Sequence, residues 1–170
     1  GDYDAINGQP ARVVLSSYRD AAKADSLTPE PYIHLSQFYL HQWKQTRDQT
    51  YFDQSIQAAE QAQVLSPNSP QIAHELANAW LVRARESSMQ NAEAIAEAVV
   101  GLQKALEMYP TNPMWTAETS QALALAGKSA EASRLARRAL ELDEINRGAG
   151  HVDRYLPEEL LLEMKQLAGK

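Results

Sequence analysis

The chain has 170 residues, 44% hydrophobic and 22% charged, with a formal net charge of −6, four histidines and no cysteine. The missing cysteine excludes thiol catalysis, Cys-ligated zinc and disulfide scaffolds. The acidic balance, with no basic cluster larger than Arg137-Arg138, argues against nucleic acid and anionic membrane surfaces as partners, and no apolar run approaches the ~20 residues that cross a bilayer.

No alternating β-branched stretch lies between hairpin turns, so the sequence predicts helices and no strand. The first helix, over 11–25, follows Pro10 and carries Val14, Tyr18 and Ala21 at amphipathic spacing. Thr28-Pro29-Glu30 opens the second, with Thr28 as N-cap and Pro29 at the first helical position. Its stripe is Tyr32, Leu35, Tyr39 and Trp43. A polar break at 45–49 precedes a third helix bearing Phe52, Ile56, Ala59 and Ala62.

Ser69-Pro70 repeats the start signal ahead of Ala73, Leu76, Ala77, Trp80 and Ala84. A second polar break, 85–90, leads to Ile95, Ala98, Val99, Leu102 and Leu106. Asn112-Pro113 opens a sixth helix, with Leu123 inward and Gly127 as its C-terminal stop. Ser129 caps a seventh, through Ala132, Leu135, Ala136, Ala139 and Leu140. Gly148-Ala149-Gly150 breaks the chain, and Pro157 begins an eighth with Leu160, Leu161, Met164 and Leu167 inward. No linker is long enough to divide 1–170 into two domains.

These helices are punctuated by a recurring phrase. The run Ala62 to Pro67-Asn68-Ser69-Pro70 returns as Ala105-Leu106 to Pro110-Thr111-Asn112-Pro113, and in weaker form as Ala139-Leu140 to Glu144. Such periodicity means one supersecondary unit stacked on copies of itself. The residues resemble the tetratricopeptide repeat, a helix A–helix B hairpin with small residues where the two helices meet. In the first unit, 29–67, helix A has Tyr32, Leu35, Ser36 and Tyr39, and helix B has Ser55, Ala59 and Ala62. In the second, 70–110, Ala73, Leu76, Ala77 and Trp80 precede Ala98, Leu102 and Ala105. The third, 113–144, is looser on helix A (Thr116, Thr119, Ser120, Leu123) and clear on helix B (Ala132, Ala136, Ala139). The resemblance implies an all-α, right-handed α-solenoid of about three hairpins with flanking helices, 11–25 as helix B of a partial repeat and 157–168 as a cap.

The spacing departs from the family. Pro110 to Glu144 is 34 residues, the family period, whereas Pro67 to Pro110 is 43 and Ser26 to Pro67 is 41. Seven extra residues make about two turns, so two tall hairpins are expected before one of standard height. A Gln/Ser-rich loop is the rival reading. Gly1 reads as an added residue and the remainder as part of something longer. The helix at 11–25 then either caps the array or continues an upstream one.

The resemblance implies an extended ligand on the concave surface lined by the A helices. Gln37, Asn78 and Gln121 place amides at equivalent positions there, and amides donate and accept at once, which suits a peptide backbone. His41 and His74 are their neighbours on that face. A Lys/Arg carboxylate clamp, known in chaperone-binding members, is missing: the groove positions are Ile33, His41, His74, Val82 and Ala117.

His34, His41 and His74 would need a further donor such as Glu75 to hold zinc. His74-Glu75-Leu76-Ala77-Asn78 lacks the second His of HExxH. No phosphate loop or GxSxG occurs either. The expectation is therefore no catalysis, no metal and no cofactor, with a protein or peptide as partner. Two alternatives stand beside it. The stretch 142–160 looks similar to soluble tails of bacterial O-antigen-ligase-like membrane proteins, which implies an accessory domain of an envelope polysaccharide protein. A second copy of the chain is a further candidate partner, through the incomplete N-terminal repeat. The compartment, cytoplasmic or periplasmic, is left open.

Overall fold

The computed structural model describes residues 5–6, 9–86 and 91–169. Its elements are β1 (Ala5–Ile6), β2 (Gln9–Pro10), α1 (Ala11–Ala24), α2 (Glu30–Thr46), α3 (Gln49–Leu65), α4 (Pro70–Glu86), α5 (Ala92–Met108), α6 (Pro113–Leu125), α7 (Ser129–Ala149) and α8 (Glu158–Ala168). The fold is all-α apart from the β1–β2 ladder, which pairs Ala5 with Pro10 and Ile6 with Gln9. The expectation of no strand is corrected to that extent, because two residues a side are too few to show an alternating pattern. The chain divides into two compact units, Gly1–Leu76 and Ala77–Lys170, and the division falls within α4.

In the first unit α2 and α3 form a hairpin over α1. Val14, Ala22, Leu35, Phe38, Tyr39 and Ala58 make the core. On α1 the inward residue is Ala22, 8% exposed, and not Ala21, since Val14, Tyr18 and Ala22 advance by whole i,i+4 steps along one face. Helices α2 and α3 are each 17 residues long, so the supposed break at 45–49 shrinks to Arg47-Asp48. Arg47 turns the chain at φ 60, with its guanidinium 4.9 Å from the centre of the Trp43 ring. Asp48 then caps α3 by accepting from the Thr50 N–H at 2.9 Å.

One start signal works differently from expectation. Helix α2 begins at Glu30, with Pro29 as its N-cap and no side-chain cap. The Thr28 hydroxyl instead donates to Asp25, whose other oxygen accepts from the Leu27 N–H. Those bonds, the Thr28 hydroxyl foremost, hold the Asp25 carboxyl below the usual range.

The second unit packs two cores. Ala77, Leu81, Ala98, Val99, Leu102, Ala122, Leu123 and Ala132 form one, with Trp80 half-buried against it. Ala117, Ala136, Ala139, Leu156 and Met164 form the other, under α8. Helices α4 and α5 are again 17 residues each, against 13 in α6. The two tall hairpins are thus built by lengthening helices by about one turn each. Of the second polar break, residues 87–90 lie outside the described residues. Asn91 and Asn112 cap α5 and α6 through their side-chain oxygens, at 3.0 and 3.2 Å from the Ala94 and Trp115 N–H groups.

Gly127, at φ 74, ends α6, and the Lys128 N–H reaches back to the Leu123 carbonyl at 2.9 Å, the six-to-one bond of a Schellman motif. Ser129 is the first residue of α7 and not its cap, which is Lys128.

The most consequential departure is α7, which runs 21 residues to Ala149. Gly148 lies inside it and only Gly150, at φ 74, stops it. The extra turns carry Asp143, 3% exposed, which accepts from Arg147 Nε at 2.6 Å and from the Leu156 N–H at 2.7 Å. That buried carboxylate ties the chain between α7 and α8 back onto the helix, and Leu156 follows it into the core at 2% exposure. Val152, expected to dock with Tyr155 and Leu156, is 72% exposed, because the chain is held from Leu156 and not from the preceding turn.

Helices within each hairpin cross closely at a small residue. In the first unit the Ser55 hydroxyl donates to the Ser36 carbonyl at 2.9 Å, and the two hydroxyls lie 3.2 Å apart. In the second, a Cβ on Gly101 would stand 2.6 Å from the Ala77 Cβ. At the third crossing the Ser120 hydroxyl donates to the Ala132 carbonyl at 2.7 Å.

Two stability measurements follow. Gly101→Ala gains about 1 kcal/mol of helix propensity but adds a methyl where none fits, at a cost of about 1–3 kcal/mol. The expected result is a net loss in urea denaturation. The swap Ala77→Gly with Gly101→Ala should bring the midpoint back close to the parent, since it moves the methyl without adding one. Asp143→Ala leaves the Leu156 N–H buried and unpaired and should cost about 2 kcal/mol. A loss below about 0.5 kcal/mol, the low end for a hydrogen bond, would show that the α7–α8 connection is held by its apolar contacts alone.

Candidate functional site

Of the expected groove residues, Gln121 has the most defined surroundings. It sits on α6 at 4% exposure. A buried primary amide must find partners for both ends, and here they come from two other helices. Its Nε2 donates to Glu163 Oε2 of α8 at 2.6 Å, and its Oε1 accepts from Arg85 Nη1 of α4 at 3.4 Å. Gln121 is therefore an occupied bridge and not an amide open to a ligand, as its equivalence to Gln37 and Asn78 had suggested.

That bridge stands beside a cavity of about 290 Å³ lined by Asn78, Arg85, Glu118, Gln121, Glu159 and Glu163, with Leu81, Val82, Pro157 and Leu160. Helical registers explain the assembly. Asn78, Leu81, Val82 and Arg85 recur at three, four and seven residues along α4, Glu118 and Gln121 at three along α6, and Glu159, Leu160 and Glu163 at four and three along α8, so each set shares a face. The lining holds three carboxylates, one guanidinium and two amides on an apolar floor, with both donors and acceptors for a polar main chain. Sequence reasoning found Asn78 and Gln121. It missed Glu159 and Glu163, which it had turned outward on α8.

Gln37 and His41 stand exposed on α2, and His74 is half-buried on α4. None of the three lines this cavity or the two described next. His34 stacks on Tyr18, with ring centres 5.1 Å apart and planes at 17°. Among the described residues no three His, Asp or Glu side chains are grouped as metal ligands would be, and no helix is long and apolar enough to cross a membrane.

A second cavity, of about 240 Å³, lies where Tyr109, Asn112 and Met114 meet Asp153, Arg154 and Tyr155. In it Arg154 pairs loosely with its neighbour Asp153 at 3.8 Å, and Arg147 lies 4.5 Å from the centre of the Tyr155 ring. A third, about 510 Å³, belongs to the first unit and is lined by Arg19, Tyr32, Leu35, Tyr39, Gln54, Gln57, Ala58 and Gln61.

No family model and no curated protein matches the chain. Solved structures do. TTC0263, a thermophilic TPR protein of Thermus thermophilus, is similar over 94% of this chain and 91% of its own, with TM-score 0.61 and 15% identity. MamA is similar over 91% of this chain and 86% of its own, with TM-score 0.57 and 15% identity. The chain has a tetratricopeptide-repeat fold. At this identity the likeness carries the fold and nothing finer. The similarity of 142–160 to O-antigen-ligase-like tails has no counterpart in these matches. In the terms of the tetratricopeptide fold, α4 and α6 are A helices, and the cavity beside Gln121 opens among residues they share with α8.

The Gln121–Glu163 bridge is measurable. In a double-mutant cycle of Gln121→Ala and Glu163→Ala, a coupling of about 1 kcal/mol is expected for a part-buried, charge-assisted bond. Additive losses would show that α8 is positioned without it.

Proposed function

We propose that the chain is a non-catalytic scaffold that binds an extended protein segment on the concave face of its A helices. In the second unit the contact would run through the cavity at Asn78, Arg85, Glu118, Gln121, Glu159 and Glu163. The observation that carries this reading is the convergence of amide, guanidinium and carboxylate groups on one cavity, ordered around a buried glutamine that holds two of them in place. Preorganised polar groups over an apolar floor bind at low entropic cost. The fold supports a protein partner, as tetratricopeptide hairpins expose helix faces and bury no catalytic centre of their own. The net charge of −6 supports a protein over a nucleic acid. Gln37, His41 and His74, also on A helices, extend the same reading to the first unit.

Display of random dodecapeptides on phage, panned against the chain, tests it. Enriched peptides should bind the Asn78→Ala, Glu159→Ala double variant at least about tenfold more weakly, a loss near 1.4 kcal/mol, with thermal unfolding unchanged. Retention at full affinity would move the site away from this cavity. Capture of the chain by itself in the same format, at equal affinity, would replace the peptide reading with self-association.

A further inference from the structure

The first unit carries a second groove that the reading above does not use. Its cavity of about 510 Å³ is floored by Tyr32, Leu35, Tyr39 and Ala58 and rimmed by Arg19, Gln54, Gln57 and Gln61. Arg19 comes from α1, the floor from α2 with Ala58, and the three amides from α3. Gln54, Gln57 and Gln61 follow one another at three and four residues, so they form a single row along the helix. At 1.5 Å per residue the row is about 10 Å long, the length of about three residues of extended chain at 3.3 Å each.

Among the described residues, Arg19 is the one charged member of that lining. It is not a loosely solvated cation. Its Nε and Nη2 donate to the Tyr39 hydroxyl at 3.2 and 2.8 Å, and Tyr39 itself is fixed in the core at 6% exposure. Two of five guanidinium N–H groups are thereby used, and the planar fork is held in place with the others available. A row of amides that can both donate and accept suits a peptide main chain, and a positioned guanidinium with no carboxylate among its fellow lining residues suits an anion.

We infer that the groove between α1 and α3 is a docking site for an extended peptide segment that places a Glu or Asp side chain on Arg19 and its backbone on Gln54, Gln57 and Gln61. The site is independent of the cavity at Gln121 and of the proposal made for it, since the two share no residue. Charge selects the occupant: the described lining offers an anion a partner and offers a cation none.

Fluorescence anisotropy of fluorescein-labelled hexapeptide pools tests it, each pool random except for a fixed third residue of Glu, Lys or Leu. The variant Asn78→Ala, Glu159→Ala serves as the protein throughout, so that the cavity of the second unit does not contribute. The Glu pool should bind at least about tenfold more tightly than the Lys pool, the scale of one charge-assisted pair. Arg19→Gln should abolish that preference. Gln57→Leu with Gln61→Leu, both at exposed positions, should weaken all pools while thermal unfolding stays unchanged. Equal binding of the Glu and Lys pools overturns the inference, as does a Glu preference that survives Arg19→Gln. Free glutamate competing as well as the peptides would also overturn it, by reducing the groove to a simple anion site.

Discussion

Every other feature of this chain depends on how closely paired helices approach within a hairpin. Two helices normally pack 8–10 Å apart, a distance set by the side chains at the contact. Here the contact positions are Ser36 against Ser55, Ala77 against Gly101, and Ser120 against the Ala132 carbonyl. Each solves the same problem with different chemistry. Where serine sits, its hydroxyl is buried and bonds a backbone carbonyl across the crossing, so a polar group gains a partner while the helices stay close. Where glycine sits, the helix forgoes propensity to remove one methyl. A larger residue at any of these points would push the helices apart and uncover the alanines that flank it, among them Ala59, Ala98 and Ala136, all nearly inaccessible. An alanine-rich interface is stable only when close, because alanine offers little area unless the backbones themselves touch.

That constraint also explains what could be read from the sequence. Small residues at a fixed spacing, proline or asparagine starts and a glycine stop are local signals, and Ser69-Pro70, Asn112-Pro113 and Gly127 act as their residue types dictate. The extra length in the first two hairpins was legible as arithmetic, and it appears as longer helices because the crossing point fixes both partners and leaves only their free ends to grow. Thr28 and Ser129 failed as caps for a local reason too. Thr28 found a stronger acceptor in Asp25, and Ser129 was already inside the helix.

The site was half legible. Asn78 and Gln121 could be placed by register on A helices, but what Gln121 does depends on Glu163, 42 residues further on. No spacing rule links α6 to α8, since they meet only after α7 has turned the chain back. The length of α7 was itself illegible, because Gly148 looks like a stop until Asp143 and Arg147 are seen to hold the helix through it. Arg19 and Tyr39 are a similar case. Tyr39 reads as a core aromatic, which it is, and its hydroxyl at the edge of that core is what orients an arginine from another helix.

Polar groups thus enter both grooves as a consequence of stacking. A helix face that must lie close to its neighbours cannot be wholly apolar at its rim, or hairpins would associate without register. Nor can it carry polar groups unpartnered at depth. The compromise in the second unit is a glutamine at 4% exposure satisfied by an arginine and a glutamate that are themselves partly wet. The buried amide supplies order, and the solvent-facing atoms of its partners supply chemistry. The first unit reaches the same result with a buried phenol and a guanidinium at the groove rim. In both, the residue that fixes the geometry is inaccessible, and the residue that would meet a ligand is its immediate hydrogen-bond partner. A substitution at the surface partner should therefore change recognition with little effect on folding, whereas one at Gln121 or Tyr39 should disturb both together. This separation makes binding and stability independently adjustable on a scaffold assembled from nearly identical helical pairs.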